Sequence, residues 1–383
     1  MPILRNDRIE TTPLLNGLNF NAANETWAIA AGVLVFSEFA DGIFSDGFLN
    51  NTLINLGNVI SDGVNQSGVF LNGGNTFIRN SIDAEISGLA VGVLLDGSSS
   101  NTLINLGTIL GDASIGVDFS LHASRETLNN RGCIFGAAAG VNIASNMAGG
   151  TINNFHVIRS DGEAIEIATA AGLLTDINNA AGAIISGAIE AIGNTSGRFR
   201  LVNYGTINGT VAANFGDIII NHGKINGTVA LVSGNDYFNG TGGTAGYIGS
   251  GLGNDRIIAG KGNVFVLLGG GNCTVTGGPG HDQFFFDAPL ASQIEKITNF
   301  NVSRDRIELS VLDYAVGPVG HALAPAEFHI GSHATSASQR IIYNATNGFL
   351  FYDPDGNGPM PRIHFGTLSH DLNLTHGDFL IEA

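Results

Sequence analysis

The sequence predicts an all-β protein: a right-handed parallel β-helix of about 24 to 25 residues per coil, continuing into a narrower coil of about 18 residues per turn and a C-terminal β-rich cap. One observation is a long repeat, since LNNTLINLGNVISD at 49–62 returns as SSNTLINLGTILGD at 99–112, two coils later. Another is composition, with 55 Gly, 9 Pro and only 13% charged residues. Globular enzymes carry about a quarter charged residues, whereas charge-poor repeats with β-branched pairs suit stacked short strands.

Residues 1–28 carry scattered apolar side chains, including Leu15, Phe20 and Trp27, without a clear period. The first coil of a solenoid exposes an unpaired edge unless something covers it. We therefore predict that residues 1–28 form an N-terminal cap.

Residues 29–202 contain the repeat that predicts the wide parallel β-helix. Two anchors recur with one period, and each short strand needs its neighbours to bury its apolar face. The first anchor is an asparagine that recurs once per coil: Asn55, Asn80, Asn105, Asn130, Asn154, Asn179 and Asn203. The second recurs with the same period after a slightly longer first step: Gly42, Gly68, Gly92, Gly116, Gly140, Ala164 and Ala188. Asparagine tolerates tight turns and stacked amides hydrogen-bond along the axis, so we predict a structural asparagine ladder.

Residues 203–286 repeat with a shorter step. YGTINGTV at 204–211 returns as HGKINGTV at 222–229, a step of 18 residues, which equals two nine-residue units. The sequence therefore predicts that the wide helix narrows without a linker around residues 201–232.

Residues 233–286 read in nines as glycine- and aspartate-rich units such as SGNDYFNGT, GLGNDRIIA and GPGHDQFFF. They resemble the nonapeptide G-G-x-G-x-D-x-U-x of the RTX family, a calcium-binding parallel β-roll. The resemblance implies that two nonapeptides make one turn and that Asp oxygens bind calcium. The Asp slots read Asp236, Gly246, Asp255, Val264, Cys273 and Asp282, so Asp236 and Asp255 are expected to pair along one edge. We expect Ca²⁺ at Asp236, Asp255 and Asp282, with few ions in all.

Residues 287–383 resemble the region that follows the last nonapeptides in RTX proteins, so the resemblance covers about 233–383. The chain ends in DFLIEA, similar to the uncleaved C-terminal signals of type I secretion. The resemblance implies an extracellular or cell-surface protein exported without an N-terminal signal peptide. Neither an apolar signal-peptide core at the N-terminus nor a run of 18 apolar residues is present, so no transmembrane segment is predicted.

The segment YDPDGNG places Asp353, Asp355 and Asn357 at alternate positions before a glycine. Alternating oxygen ligands around a tight turn open an EF-hand-like calcium loop. The glutamate that closes the twelve-residue version is missing, and an ordinary Asp/Gly turn between two strands fits the same letters.

A polar stripe is predicted two residues after the second anchor, where four successive coils carry Asp118, Asn142, Glu166 and Glu190. If Val117 points inward, these four side chains line up on the outer face. Three interpretations stay open: a solvated polar stripe, a cation or lattice contact, and acid/base chemistry on glycosidic bonds.

The functional hypothesis is a secreted structural protein: an adhesin, matrix filament or surface-layer subunit that folds with help from calcium. Expected partners are copies of itself, end to end or lateral, or cell-surface and matrix glycans. The net charge of -17 with 16 Lys plus Arg argues against nucleic acid, which needs a basic patch.

Two other function classes remain open. One is a carbohydrate-active β-helix enzyme, a lyase or epimerase with an RTX module; the other is a passive calcium-binding protein. A lyase needs basic residues clustered beside acids. The basic residues of the wide helix are few and scattered, so we do not expect an enzyme. They are Arg79, Arg125, Arg131, Arg159, Arg198 and Arg200. We expect no disulfide between Cys133 and Cys273.

Overall fold

A computed structural model describes residues 2–12, 15–97, 100–120, 125–144, 149–170, 172–191, 197–287 and 293–383. The chain divides into two compact units, Met1–Ala212 and Ala213–Ala383. Within the described ranges the single helix is a three-residue 3-10 turn, His376–Asp378. The predicted fold class, an all-β right-handed parallel β-helix, is confirmed.

The first unit consists of short strands in chain order, with β25 ending one residue beyond its boundary. They are β1 (Ile3–Leu4), β2 (Arg8–Glu10), β3 (Leu18–Phe20), β4 (Thr26–Ile29), β5 (Leu34–Ser37), β6 (Ile43–Ser45), β7 (Thr52–Asn55), β8 (Asn58–Ser61), β9 (Ser67–Leu71), β10 (Phe77–Asn80), β11 (Glu85–Gly88), β12 (Val91–Leu95), β13 (Thr102–Asn105), β14 (Thr108–Gly111), β15 (Ile115–Phe119), β16 (Thr127–Asn130), β17 (Cys133–Gly136), β18 (Ala139–Ile143), β19 (Thr151–Asn154), β20 (Val157–Ile167), β21 (Leu174–Asn179), β22 (Ile184–Ala191), β23 (Arg198–Asn203), β24 (Thr206–Asn208) and β25 (Val211–Ala213).

The strands of this unit pair in parallel with their counterparts in the neighbouring coils, and those of the first coil pair on one side only. β13 shows the pattern, because Leu103 pairs with Ile78 on one side and with Leu128 on the other. Alternate residues point inward, so a stack of fully buried aliphatic side chains runs along the axis. Fully burying one such side chain stabilises the fold by roughly 1.5–3 kcal/mol, and every coil depends on its neighbours for it.

The predicted asparagine ladder is confirmed. The side chains of the first anchor are buried, and each Nδ2 donates to Oδ1 of the asparagine in the next coil at 2.8–2.9 Å. Each also reaches a backbone carbonyl, such as the bond from Asn105 to the Cys133 oxygen at 3.1 Å. The residue spacing of these bonds, 24 or 25, equals the period in the sequence. The ladder therefore fixes the register from coil to coil.

The segment predicted as a cap, residues 1–28, is itself built as a coil. β1 pairs with β4, β2 with β5 and β3 with β6, all in parallel. Arg8 and Glu10 stand opposite the buried Val35 and Ser37, and form an ion pair at 3.8 Å. Charged residues at inward positions of an edge strand cover the core and disfavour pairing with another edge.

The second unit contains the remaining strands and the 3-10 turn. The strands are β26 (Ile218–Asn221), β27 (Lys224–Leu231), β28 (Tyr237–Asn239), β29 (Thr244–Gly249), β30 (Arg256–Ile258), β31 (Phe265–Leu268), β32 (Thr274–Thr276), β33 (Gln283–Phe286), β34 (Glu295–Ile297), β35 (Arg306–Ser310), β36 (Phe328–Ile330), β37 (Ile341–Asn344), β38 (Phe349–Tyr352), β39 (Ile363–Thr367) and β40 (Phe379–Glu382).

The narrow coil has the predicted step of two nonapeptides. Tyr247 pairs with Phe265 and Phe265 with Gln283, with two short strands per turn. The stack does not stop at the end of the nonapeptides, because Gln283 pairs with Arg306 in the following coil. That coil is longer than the nonapeptide turns before it.

The C-terminal region is β-rich, as predicted. β37, β38 and β39 form an antiparallel sheet, and β40 pairs in parallel with β35. Phe365 packs edge-on against Phe286 and Tyr314, at ring centroid distances of 5.1 and 5.3 Å. No helix in the described ranges is long and apolar enough to cross a membrane.

Candidate functional site

Asp236 and Asp255 lie in equivalent turns of neighbouring coils, as the nonapeptide spacing predicts. Their carboxylates are 3% and 2% exposed. The backbone N–H of Asp217 donates to Asp236 Oδ1 at 2.5 Å, and that of Asp236 donates to Asp255 Oδ1 at 2.8 Å. These oxygens therefore bind the backbone of the preceding coil.

Asp236 keeps one carboxylate oxygen, Oδ2, buried without a hydrogen-bond partner. The pKa of Asp236 is raised to about 7, first by burial and also by the neighbouring Asp217 and Asp255 carboxylates, while backbone hydrogen bonds act in the opposite direction. This oxygen can accept a proton or a cation, so Asp236 fits part of a calcium site.

Asp255 and Asp282 use both of their oxygens within the protein. Asp255 Oδ2 accepts from the Cys273 thiol at 3.5 Å, and burial raises the pKa of Asp255 to about 6. Asp282 is completely buried; its Oδ1 accepts from the Val264 N–H at 3.1 Å and its Oδ2 from the Gly278 N–H at 2.6 Å. A calcium ion at either residue would have to displace these donors.

Three further buried acids lie one coil before or after the nonapeptide turns, and they were not identified from the sequence. Asp217 precedes Asp236 by 19 residues, Glu295 follows Cys273 by 22, and Asp305 follows Asp282 by 23. All three lie outside residues 233–286, the stretch that reads in nonapeptides, so the repeat pattern did not select them. Asp217 and Asp305 immediately precede a strand and Glu295 begins one, and an acid at the start of a strand was the available signal.

Glu295 combines a buried carboxyl with an oxygen that has no hydrogen-bond partner. The Cys273 N–H donates to Glu295 Oε2 at 2.9 Å, while Oε1 is buried without a partner. Burial raises the pKa of Glu295 to about 8. The side chain is therefore largely protonated at neutral pH.

The segment that follows β38 brings Asp353 and Asp355 together. Oδ1 of each carboxylate is buried without a hydrogen-bond partner. The pKa of Asp353 is raised, first by burial and also by the adjacent Asp355 carboxylate. Asn357 lines the same cavity of about 560 Å³ as Asp353. All three predicted residues thus belong to one loop, in which two carboxylate oxygens have no donor, and this fits a hard cation.

The predicted polar stripe is confirmed as a line. Asp118 pairs with Asn142, Asn142 with Glu166, and Glu166 with Glu190 in successive coils. Asn142 Nδ2 donates to Asp118 Oδ1 at 2.8 Å. Burial raises the pKa of Asp118 to about 6, and burial followed by Glu163 and Glu190 raises the pKa of Glu166.

Three arginines of the wide helix contact residues that do not belong to this stripe. The Arg131 guanidinium lies over the Phe155 ring at 4.3 Å, and Arg159 over Phe135 at 4.9 Å. Arg200 contacts its neighbour Asp176 at 3.2 Å.

Comparison of the chain with protein-family models, with curated proteins and with solved structures finds no match. The resemblance to RTX proteins therefore rests on the motifs alone. Within the described ranges, no three or more His, Cys, Asp or Glu side chains are placed to hold a metal ion together. A bound cation would thus need neutral oxygens as well as carboxylates.

Proposed function

We propose that this protein is a secreted structural β-solenoid, an adhesin, matrix filament or surface-layer subunit, that folds with help from calcium. The observation that carries the proposal is the asparagine ladder with its single register. It holds successive coils at one spacing, about 4.8 Å, so each outer face presents one side chain per coil. Such faces are suited to repeated contacts with an extended partner.

The partners proposed are further copies of the chain or cell-surface and matrix glycans. Arg8 and Glu10 cover the first coil with charge, which favours lateral over end-to-end contacts between copies. A net charge of -17 disfavours nucleic acid. The proposed extracellular or cell-surface location is supported by the resemblance of the C-terminal region to that of RTX proteins.

The proposed role of calcium in folding is based on the buried acids of the second unit. Asp217, Asp236 and Asp255 occupy successive buried positions, and their like charges raise each other's free energy when all are ionised. A cation would relieve this repulsion and stabilise the folded state by mass action. Such a protein stays unfolded where calcium is scarce and folds where it is plentiful.

Negative-stain microscopy of the purified full chain, with calcium and with chelator, tests the structural role. We expect ordered assemblies or decoration of a glycan matrix with calcium, and dispersal with chelator, together with a lower melting temperature. Monodisperse particles that bind no matrix in either condition would contradict the structural proposal.

A carbohydrate-active enzyme is the second candidate, and the stripe favours it. Asp118 and Glu166 have raised pKa values, and stand two coils apart on one face. A carboxyl group with a raised pKa can act as the acid, and an ionised neighbouring carboxylate can act as the base or nucleophile.

The double substitution Glu166→Gln with Glu190→Gln removes two carboxylates while it keeps the shape of the side chains. If the chain cleaves a glycan, that double variant should lose the activity; unchanged cleavage would exclude the stripe.

A further inference from the structure

The loop at residues 353–358 has two features that the glycine-rich turns lack in combination. Its two carboxylates are neighbours, and each has a buried oxygen without a donor. Asp353 is only 5% exposed and lines the adjoining cavity. The other Asp355 oxygen, Oδ2, accepts from the Met360 N–H at 3.0 Å, so one oxygen of each carboxylate is left without a donor. A buried carboxylate oxygen without a donor is costly unless a proton or a cation compensates it.

We propose that this loop, rather than the glycine-rich turns, is the principal calcium site of the protein, with Asp353 and Asp355 as its charged ligands. The inference rests on the proposed role of calcium in folding and assigns that role to particular residues. Two carboxylates balance the charge of one divalent ion. The Asn357 amide and loop carbonyls are the neutral oxygens within the same turn.

The chemistry of the loop selects a hard cation over an organic one. The two atoms without a hydrogen-bond partner, Oδ1 of Asp353 and Oδ1 of Asp355, are carboxylate oxygens, the ligands that Ca²⁺ prefers. Arg362 lines the same cavity, and its guanidinium lies over the Phe351 ring at 4.3 Å. A site with two carboxylates belongs to the weaker calcium class, with Kd on the order of 10⁻⁴–10⁻³ M, which suits extracellular calcium.

The turns offer less to an ion. Asp255 and Asp282 each accept hydrogen bonds at both oxygens, so an ion there would exchange existing hydrogen bonds for ion contacts. Asp236 has one carboxylate oxygen without a partner, whereas the loop has two, one on each of two neighbouring carboxylates.

Occupation of the loop would stabilise the C-terminal sheet. The Asp353 N–H donates to the Arg340 carbonyl at 2.8 Å, and the Asn357 N–H donates to the Ser336 carbonyl at 3.2 Å. The loop thus joins the end of β38 to the segment before β37. An ion that orders the loop should order this segment as well.

Terbium luminescence on the full chain tests the assignment, because Tyr352 precedes Asp353 and can sensitise a bound lanthanide. Calorimetric titration with calcium chloride gives the affinity and number of sites. The loop variant is Asp353→Asn with Asp355→Asn, and the turn variant is Asp236→Asn with Asp255→Asn. Asp371→Asn, at an exposed carboxylate paired with His370, is the matched control.

We expect the loop variant to lose sensitised terbium emission and to weaken calcium binding at least tenfold, while the control and the turn variant retain both. Circular dichroism of each variant checks that it is folded. Binding lost in the turn variant and kept in the loop variant would overturn this inference but leave calcium-assisted folding intact. Absence of calcium binding by the wild-type chain would overturn both.

Discussion

The backbone N–H of Asp236 donates to the side-chain Oδ1 of Asp255 one coil away, at 2.8 Å. The two aspartates are neighbours, as the repeat predicts, but the carboxylate is turned onto the backbone of the preceding coil. A residue type that suggests a calcium ligand thus serves here as an acceptor that joins coils. The same arrangement recurs between Val264 and Asp282.

The asparagine ladder should be a major source of stability in the first unit. Asn105→Ala removes an acceptor for Asn80 and donors to Asn130 and the Cys133 carbonyl, all in the buried interior. We expect a loss of about 2–3 kcal/mol, because buried polar groups are left unpaired. Asn129→Ala, on the outer side of strand β16, removes a single half-buried hydrogen bond from Asn153 at 3.0 Å and should cost about 1 kcal/mol or less. Urea unfolding measures both, and equal losses would contradict the ladder's role.

Gly107 should not tolerate a side chain. A Cβ there would overlap the carbonyl oxygen of Ala84 in the preceding coil. Gly107→Ala is expected to cost at least about 1–3 kcal/mol, since the coils would have to separate locally. At Gly246 a Cβ meets nothing within 4 Å, so Gly246→Ala should change stability by less than about 1 kcal/mol. Thermal unfolding of the two variants, compared with wild type, checks the difference.

Glu295 should make stability depend on pH. Burial raises the pKa of its carboxyl from 4.5 to about 8, so the folded state holds a proton that the unfolded chain releases. The resulting stabilisation is fully present below about pH 4.5 and is lost as the pH rises through about 8. With chelator present, the melting temperature should therefore fall across this window. Glu295→Gln should reduce the fall, most clearly above pH 7; superimposable profiles of the two proteins would refute it.

The two cysteines are free and should differ in reactivity. Cys133 is partly exposed, whereas Cys273 is 1% exposed and burial, with Glu295 nearby, raises the pKa of its thiol to about 12. Alkylation requires an accessible thiolate. Iodoacetamide should label Cys133 in the native protein and Cys273 only after denaturation. Mass spectrometry of peptides distinguishes the sites, and equal native labelling would contradict the burial of Cys273.

The sequence by itself determined the fold class, both coil lengths and the line of polar residues from Asp118 to Glu190. Each depends on a periodic pattern, and stacked coils turn a period in the chain into a position on a face. The coil formed by residues 1–28 was harder to predict, because its strands carry charged residues where later coils carry aliphatic residues.

Only the tertiary structure decided where the acidic side chains point and which of them meet. The direction of Asp236 and Asp282 depends on which backbone N–H groups the neighbouring coil presents. Asp217, Glu295 and Asp305 lie outside the nonapeptide stretch, and they stand one coil from its turns through coils of 19, 22 and 23 residues. The nonapeptide pattern therefore does not select them. The donor-free oxygens of Asp353 and Asp355 likewise follow from how the loop packs against residues 336–340. Hydrogen-bond satisfaction is a property of three-dimensional neighbours, and spacing along the chain does not contain it.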